Sequence, residues 1–138
     1  MIYVTSDLHG YPLAKFKELL QKANFSENDF CFVLGDVIDR GPESIELLKW
    51  MMMQKNVELI LGNHEAMLLA CSFLFDTITD ESLENLKEED MAAFNTWVAN
   101  GGRETLKELA ECGEETVMQI VDYLKDAPLY DSVCINNK

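Results

Sequence analysis

The sequence predicts an α/β fold built on a parallel β-α-β-α-β sheet with flanking helices. Short apolar, β-branched runs alternate with segments of helical periodicity through residues 1–75. The run Phe30-Cys31-Phe32-Val33-Leu34 is continuously apolar, as expected of a strand covered on both faces. Three successive apolar runs also end in glycine and chemically able polar residues.

The elements follow in order. "MIYVTS" is a first strand. "YPLAKFKELLQKA" is a helix, with Pro12 suited to its first turn and Leu13, Phe16, Leu20 and Ala23 at helical spacing. "NFSEND" is a turn, "FCFVL" the second strand, and "GPESIELLKWMMMQ" a helix opened by Gly41-Pro42. "VELIL" is the third strand and "HEAMLLACSFLF" the third helix. Parallel strands joined by helices call for right-handed crossovers.

The remainder changes character. Residues 76–90 are polar and acidic, a loop with a short helix. "EEDMAAFNTWVAN" reads as a helix ended by Gly101-Gly102, "RETLKELAEC" as another ended by Gly113. "EETVMQIVDYLKDA" puts Val117, Ile120, Val121 and Leu124 on one face, with Pro128 just beyond. "LYDSVCI" reads as a strand and "NNK" as the start of a hairpin turn.

Composition narrows the function classes. The 138 residues suit one domain, and 48% hydrophobic with 26% charged residues is a globular mixture. No apolar run approaches the length of a membrane span, and the N-terminus lacks the basic start of a secretory signal, so a cytoplasmic protein is expected. A formal charge of −14 disfavours a nucleic-acid scaffold but leaves divalent cations welcome. Cys31, Cys71, Cys112 and Cys134 form no C-x-x-C pair and read as free thiols, with Cys31 and Cys134 as small hydrophobes in strands.

In open parallel sheets, ligands bind beyond the carboxyl ends of the strands. Here the first strand leads to Asp7 and His9, the second to Asp36, Asp39 and Arg40, and the third to Asn63, His64 and Glu65, so all three clusters should open at one rim. Gly10, Gly35, Gly41 and Gly62 allow tight turns there. Asp7, His9, Asp36 and Asn63 offer carboxylate, imidazole and amide oxygen, a donor set suited to Mn, Fe or Zn rather than to a thiolate site. Asp36 can bridge two metals about 3.5–4 Å apart, which would clamp a phosphoryl oxygen. Arg40 supplies a planar fork for phosphate, and His64, oriented by Asp39, can protonate a leaving oxygen. Taken singly, each aspartate could be only a helix cap, each histidine structural and Arg40 a surface cation. Both histidines of the chain, however, fall at strand ends beside the other ligands.

"SDLHG", "GDVIDRGP" and "LGNHE" resemble the D-x-H, G-D-x-x-D-R-G and G-N-H-E motifs of calcineurin-like metallophosphoesterases. They look most like the phosphoprotein phosphatase type, which includes bacterial serine/threonine phosphatases and symmetrical diadenosine tetraphosphate hydrolases. "WVANGGRETL" is similar to an NGG segment of bacterial members. The resemblance implies the N-terminal portion of a two-sheet αββα sandwich. It assigns Asp7, His9 and Asp36 to a first metal, Asp36 and Asn63 to a second, His64 with Asp39 to leaving-group protonation, and Arg40 to phosphate. Asn63 and Arg103 would help to bind substrate, the alternative for Arg103 being a solvated helix start.

The same resemblance implies two further metal-binding histidines, in H-A-G-like and G-H-T-like segments, and this sequence contains neither. The expectation is therefore a single, C-terminally truncated domain. Residues 1–75 would form the metal-site core, and 76–138 a helical insert and the start of a second sheet. It would be a phosphoester hydrolase acting through hydroxide attack on phosphorus, impaired in this short chain and holding at most one metal firmly. A symmetrical dinucleoside polyphosphate hydrolase and a non-catalytic metal-binding or interaction fragment are the alternatives. The substrate would be a phosphorylated protein or a nucleotide, and the exposed C-terminal strand edge could support a dimer. A haloacid-dehalogenase-type phosphatase is excluded because residue 9 is not aspartate, and a P-loop nucleotidase because G-x-x-x-x-G-K-[ST] is absent.

Overall fold

A computed structural model describes residues 1–75 and 88–132. Strands β1 (Ile2–Thr5), β2 (Phe30–Val33) and β3 (Val57–Leu59) form one parallel sheet in the order β1-β2-β3. Their register pairs Tyr3 with Cys31 and Cys31 with Val57, then Thr5 with Val33 and Val33 with Leu59. Helix α1 (Leu13–Lys22) joins β1 to β2, α2 (Ser44–Met53) joins β2 to β3, and α3 (Asn63–Ala70) follows β3. Helices α4 (Glu88–Ala99), α5 (Gly102–Glu111) and α6 (Glu114–Asp126) complete the described part.

The core forms where the amphipathic faces meet one side of the sheet. Cys31, Val33, Val57 and Leu59 point into it, against Ile45, Leu47, Leu48 and Met51 of α2, Leu68 of α3 and Ile120, Val121 and Leu124 of α6. Phe16 anchors α1, with Leu13 and Leu20 half-buried beside it, as the helical spacing requires.

Four expectations change. The other face of the sheet carries Ile2, Val4, Phe30 and Phe32, and no helix among the described residues covers it; Val4 is 60% exposed and Leu34, just past β2, 50%. Leu129, Tyr130 and Asp131 reach over part of this face, carried there by Leu61 N–H donating to the Pro128 carbonyl at 2.8 Å. A continuous apolar run therefore did not mean equal cover on both sides: alternate residues divide between a deep core and a shallow, partly open face. The third helix ends at Ala70, and Ser72–Phe75 turn as a separate 3-10 helix. Helix α2 begins at Ser44 rather than at Gly41 because the Glu108 carboxylate of α5 caps it, accepting Ser44 N–H at 2.8 Å and Ile45 N–H at 2.9 Å. Residues 129–132 are not strand; the rest of the expected C-terminal strand and hairpin, with Cys134, lies outside the described residues, as does the acidic loop over 76–87. Among the described residues, Cys31, Cys71 and Cys112 are free thiols, and no helix is long and apolar enough to cross a membrane.

Candidate metal centre

The loops after β1 and β2 are stitched together by their backbones. Asp7 N–H donates to the Gly35 carbonyl at 3.3 Å, His9 N–H to Asp36 at 3.0 Å and Gly10 N–H to Val37 at 2.8 Å. Such close approach needs glycine. A Cβ on Gly41 would lie 2.2 Å from the His9 carbonyl oxygen, and one on Gly62 would lie 2.7 Å from Asp36 Oδ1. The loops are also strained. Asp7, His9, Asp36, Asp39 and Arg40 all have positive φ, between 42° and 75°; only Asn24, among the described non-glycine residues, shares that conformation elsewhere. Each such residue costs on the order of 1–3 kcal/mol, and clusters of them mark sites where the fold aims side chains against local preference.

What these loops aim is a ligand set. Asp7, His9 and Asp36 each offer one ligand atom, all within 4.8 Å of one another. His9 Nδ1 donates to the Ile38 carbonyl at 2.9 Å, which presents Nε2 to the cluster, 3.7 Å from Asp7 Oδ1. Two carboxylates and one imidazole in this arrangement fit a divalent cation of the Mn, Fe or Zn kind. Asp36 Oδ1 also accepts His64 N–H at 3.0 Å, tying the start of α3 to the ligands.

Beside the cluster lies a buried pair. His64 Nδ1 is 2.7 Å from Asp39 Oδ2, and because a carboxylate oxygen accepts, Nδ1 carries the proton and donates it. The His64 and His9 rings meet edge to face, with centroids 4.6 Å apart. The structure thus brings Asp7, His9, Asp36, Asp39 and His64 together, as their positions at strand ends predict. Asn63 occupies the first position of α3, exposed, directly before His64. Arg40 is exposed at the rim, and its backbone N–H donates to the Gly101 carbonyl at 3.0 Å. Arg103, also exposed, sits two residues beyond that contact, in the first turn of α5.

Three supporting residues carry no role in the sequence reading. Glu65 is fully buried, and its carboxylate accepts the backbone N–H groups of Asp36 at 2.7 Å, Val37 at 3.1 Å and Gly62 at 3.1 Å. It therefore braces the β2 loop against the β3 loop. Burial pushes its carboxyl up from the ordinary range, a shift the backbone donors oppose. Glutamate three residues after a helix-capping glycine was the available signal for half of this role. Trp97 and Thr105, both fully buried, donate to Asp39 from α4 and α5. Both lie in "WVANGGRETL", a segment singled out by its resemblance, but nothing in that pattern says that their donors face Asp39.

This chain is similar to known proteins. A symmetrical bis(5'-nucleosyl)-tetraphosphatase of Buchnera aphidicola subsp. Schizaphis graminum is 34% identical over 94 residues, which are 67% of this chain and 33% of that protein. A protein of the same description from Chromobacterium violaceum is 36% identical over 88 residues, 62% of this chain and 31% of that one. The chain thus spans about a third of the length of the curated relatives it matches. Among solved structures, a cold-active protein tyrosine phosphatase aligns over 88% of this chain and 38% of its own, with 20% identity and a TM-score of 0.42. The profile of the calcineurin-like phosphoesterases matches residues 1–132, which takes in the Asp7–His9–Asp36 cluster, the Asp39–His64 pair and the helices that support it, and the chain belongs to that family.

Proposed function

We propose that this chain carries the metal-binding core of a phosphoester or phosphoanhydride hydrolase. The observation that supports it best is the Asp7–His9–Asp36 cluster standing beside a buried, oriented Asp39–His64 pair. Asp7, His9 and Asp36 would hold a first metal, and Asp36 with Asn63 would contribute to a second. A divalent metal, when bound, supplies Lewis-acid polarisation of a phosphoryl oxygen and lowers the pKa of water. The chain's own residues do the rest. Arg40 orients the phosphate through its guanidinium fork. His64, its Nδ1 proton held by Asp39, presents Nε2 to the leaving oxygen; as the imidazolium it gives up the Nε2 proton there and is left as the neutral Nδ1–H ring. Residues 1–75 form the core of the unit, and the helices of 76–138 brace it.

Two substrate classes fit this chemistry: phosphoserine or phosphothreonine in a protein, and a symmetrical dinucleoside tetraphosphate. The names of the matched relatives favour the second. The contact that joins Arg40 to Gly101, two residues before Arg103, also suits a substrate with several adjacent anionic groups. Manganese titration by calorimetry on residues 1–138 tests the core. One tightly bound Mn²⁺ per chain is expected, with affinity falling at least tenfold in Asp36→Asn. Unchanged affinity in that variant would refute the ligand assignment. Turnover of diadenosine tetraphosphate against a phosphopeptide, in the protein that contains this chain, separates the two substrate classes.

A further inference from the structure

Asp39 has no freedom to turn. Its side chain is wholly buried, and three donors from three helices converge on its two oxygens. His64 Nδ1 approaches Oδ2 at 2.7 Å. The Trp97 indole N–H sits astride the carboxylate, 3.0 Å from Oδ1 and 2.9 Å from Oδ2. The Thr105 hydroxyl donates to Oδ1 at 2.7 Å and accepts Asp39's own backbone N–H at 3.0 Å, which Ser44 Oγ shares at 3.0 Å. An indole N–H can only donate. Once Trp97 and Thr105 have taken their acceptor positions, the carboxylate has one direction left in which to meet the imidazole.

The glycine pair between these helices serves the same end. Gly101 takes φ 101°, a turn open to glycine, and its carbonyl receives Arg40 N–H. Gly102 lies so close to the Trp97 ring that a Cβ there would sit 2.7 Å from three ring carbons. Gly102 thus packs on the face of the indole while the ring N–H, in the ring plane, meets Asp39. A segment that reads in sequence as a plain helix end connects the α4–α5 pair to the proton-transfer unit.

We propose that Trp97 and Thr105 are positioning residues of this site. Their two donors hold the Asp39 carboxylate in the orientation that accepts the His64 Nδ1 proton, and so keep His64 Nε2 turned toward the reacting group. The assignment rests on the reading of His64 as proton donor, but its test does not. Long-range ¹H–¹⁵N NMR of residues 1–138 reads the tautomer of each imidazole directly. In the unaltered chain the neutral ring of His64 should be the Nδ1–H tautomer, with Nε2 free to take up the proton that the imidazolium later delivers. Trp97→Phe keeps the ring against Gly102 and removes only the N–H; Thr105→Val keeps the volume and removes the hydroxyl. Each should raise the Nε2–H tautomer of His64 at least several-fold and speed exchange of the Nδ1 proton about tenfold. Thr105→Ser should restore the original spectrum, and His9, held by the Ile38 carbonyl, should stay unchanged throughout. An unaltered His64 pattern in both folded variants overturns the proposal. So does collapse of both amide spectra, since the two residues would then be serving the fold alone. A second arm compares poor and activated leaving groups in the protein that contains this chain. A tautomer shift without any leaving-group dependence would leave the positioning role standing and refute the proton-donor role of His64.

Discussion

Replacing Glu65 by glutamine should loosen the whole rim, and the hydrogen bonds set the size of the effect. In the native chain Oε1 accepts Asp36 N–H at 2.7 Å and Gly62 N–H at 3.1 Å, while Oε2 accepts Val37 N–H at 3.1 Å and Ile38 N–H at 3.5 Å. A glutamine keeps the shape but only one oxygen. Whichever pair that oxygen serves, the new amide group points its own hydrogens at the donors of the other pair. The side chain is 0% exposed, so water does not step in. At least one hydrogen bond to a charged group disappears, worth ~1.5–3 kcal/mol, and a buried N–H is left unmet at a further ~1–3 kcal/mol. Relief from burying a charge works in the opposite sense and offsets part of this loss. The net destabilisation should be about 2–4 kcal/mol. Urea unfolding at neutral pH, followed by circular dichroism, reads it. With a denaturant slope of ~2 kcal/mol per molar, the midpoint should fall by roughly 1–2 M. Manganese affinity should drop in parallel, because the Asp36 backbone loses its brace. A change below about 0.5 kcal/mol would refute the reasoning and show that the two turns hold their shape without the carboxylate.

Gly41→Ala should cost about 1–3 kcal/mol and weaken Mn²⁺ binding, since the new Cβ would lie 2.2 Å from the His9 carbonyl oxygen and the two loops would have to part; thermal denaturation and calorimetry measure both, and a fully stable, metal-binding variant would contradict the close approach. Burial, with Glu58 adding repulsion, pushes the Tyr123 phenol up to about 12 from an ordinary 10.0. The folded value is the higher one, so this group's contribution to stability is full below pH 10 and is lost as pH rises toward about 12. Phenolate absorbance should show one tyrosine titrating late in the folded chain, and Tyr123→Phe should remove that late step and flatten the alkaline loss of stability; an unchanged titration curve would refute it.

Much of this protein is written locally. Among the described residues, the alternation of apolar runs with helical periodicity anticipated three strands and six α-helices, most of them to within a few residues, because burying one face of a strand or helix demands that pattern whatever surrounds it. The meeting of polar residues at one rim was equally legible. A parallel sheet delivers the carboxyl ends of its strands to one rim, so Asp7, His9, Asp36, Asp39 and His64 had to converge once the strands were found. The face that β2 would leave half open was not legible, since an apolar run looks the same whether one side or both are covered.

Tertiary structure alone decided what holds the site in shape. Trp97 and Thr105 reach Asp39 across 58 and 66 residues of chain, Glu65 meets Asp36 across 29, and Glu108 caps α2 from 64 away. A hydrogen bond between distant segments imposes no spacing on either one, so it leaves no periodic trace. The strained backbone of the rim is of the same kind: aspartate and histidine take left-handed conformations at Asp7, His9, Asp36 and Asp39, where local preference alone would choose glycine. Sequence fixes which groups meet at the rim because strand direction is a local property; only the packed helices behind it fix the angle at which those groups meet, because that angle is set by contacts no single segment contains.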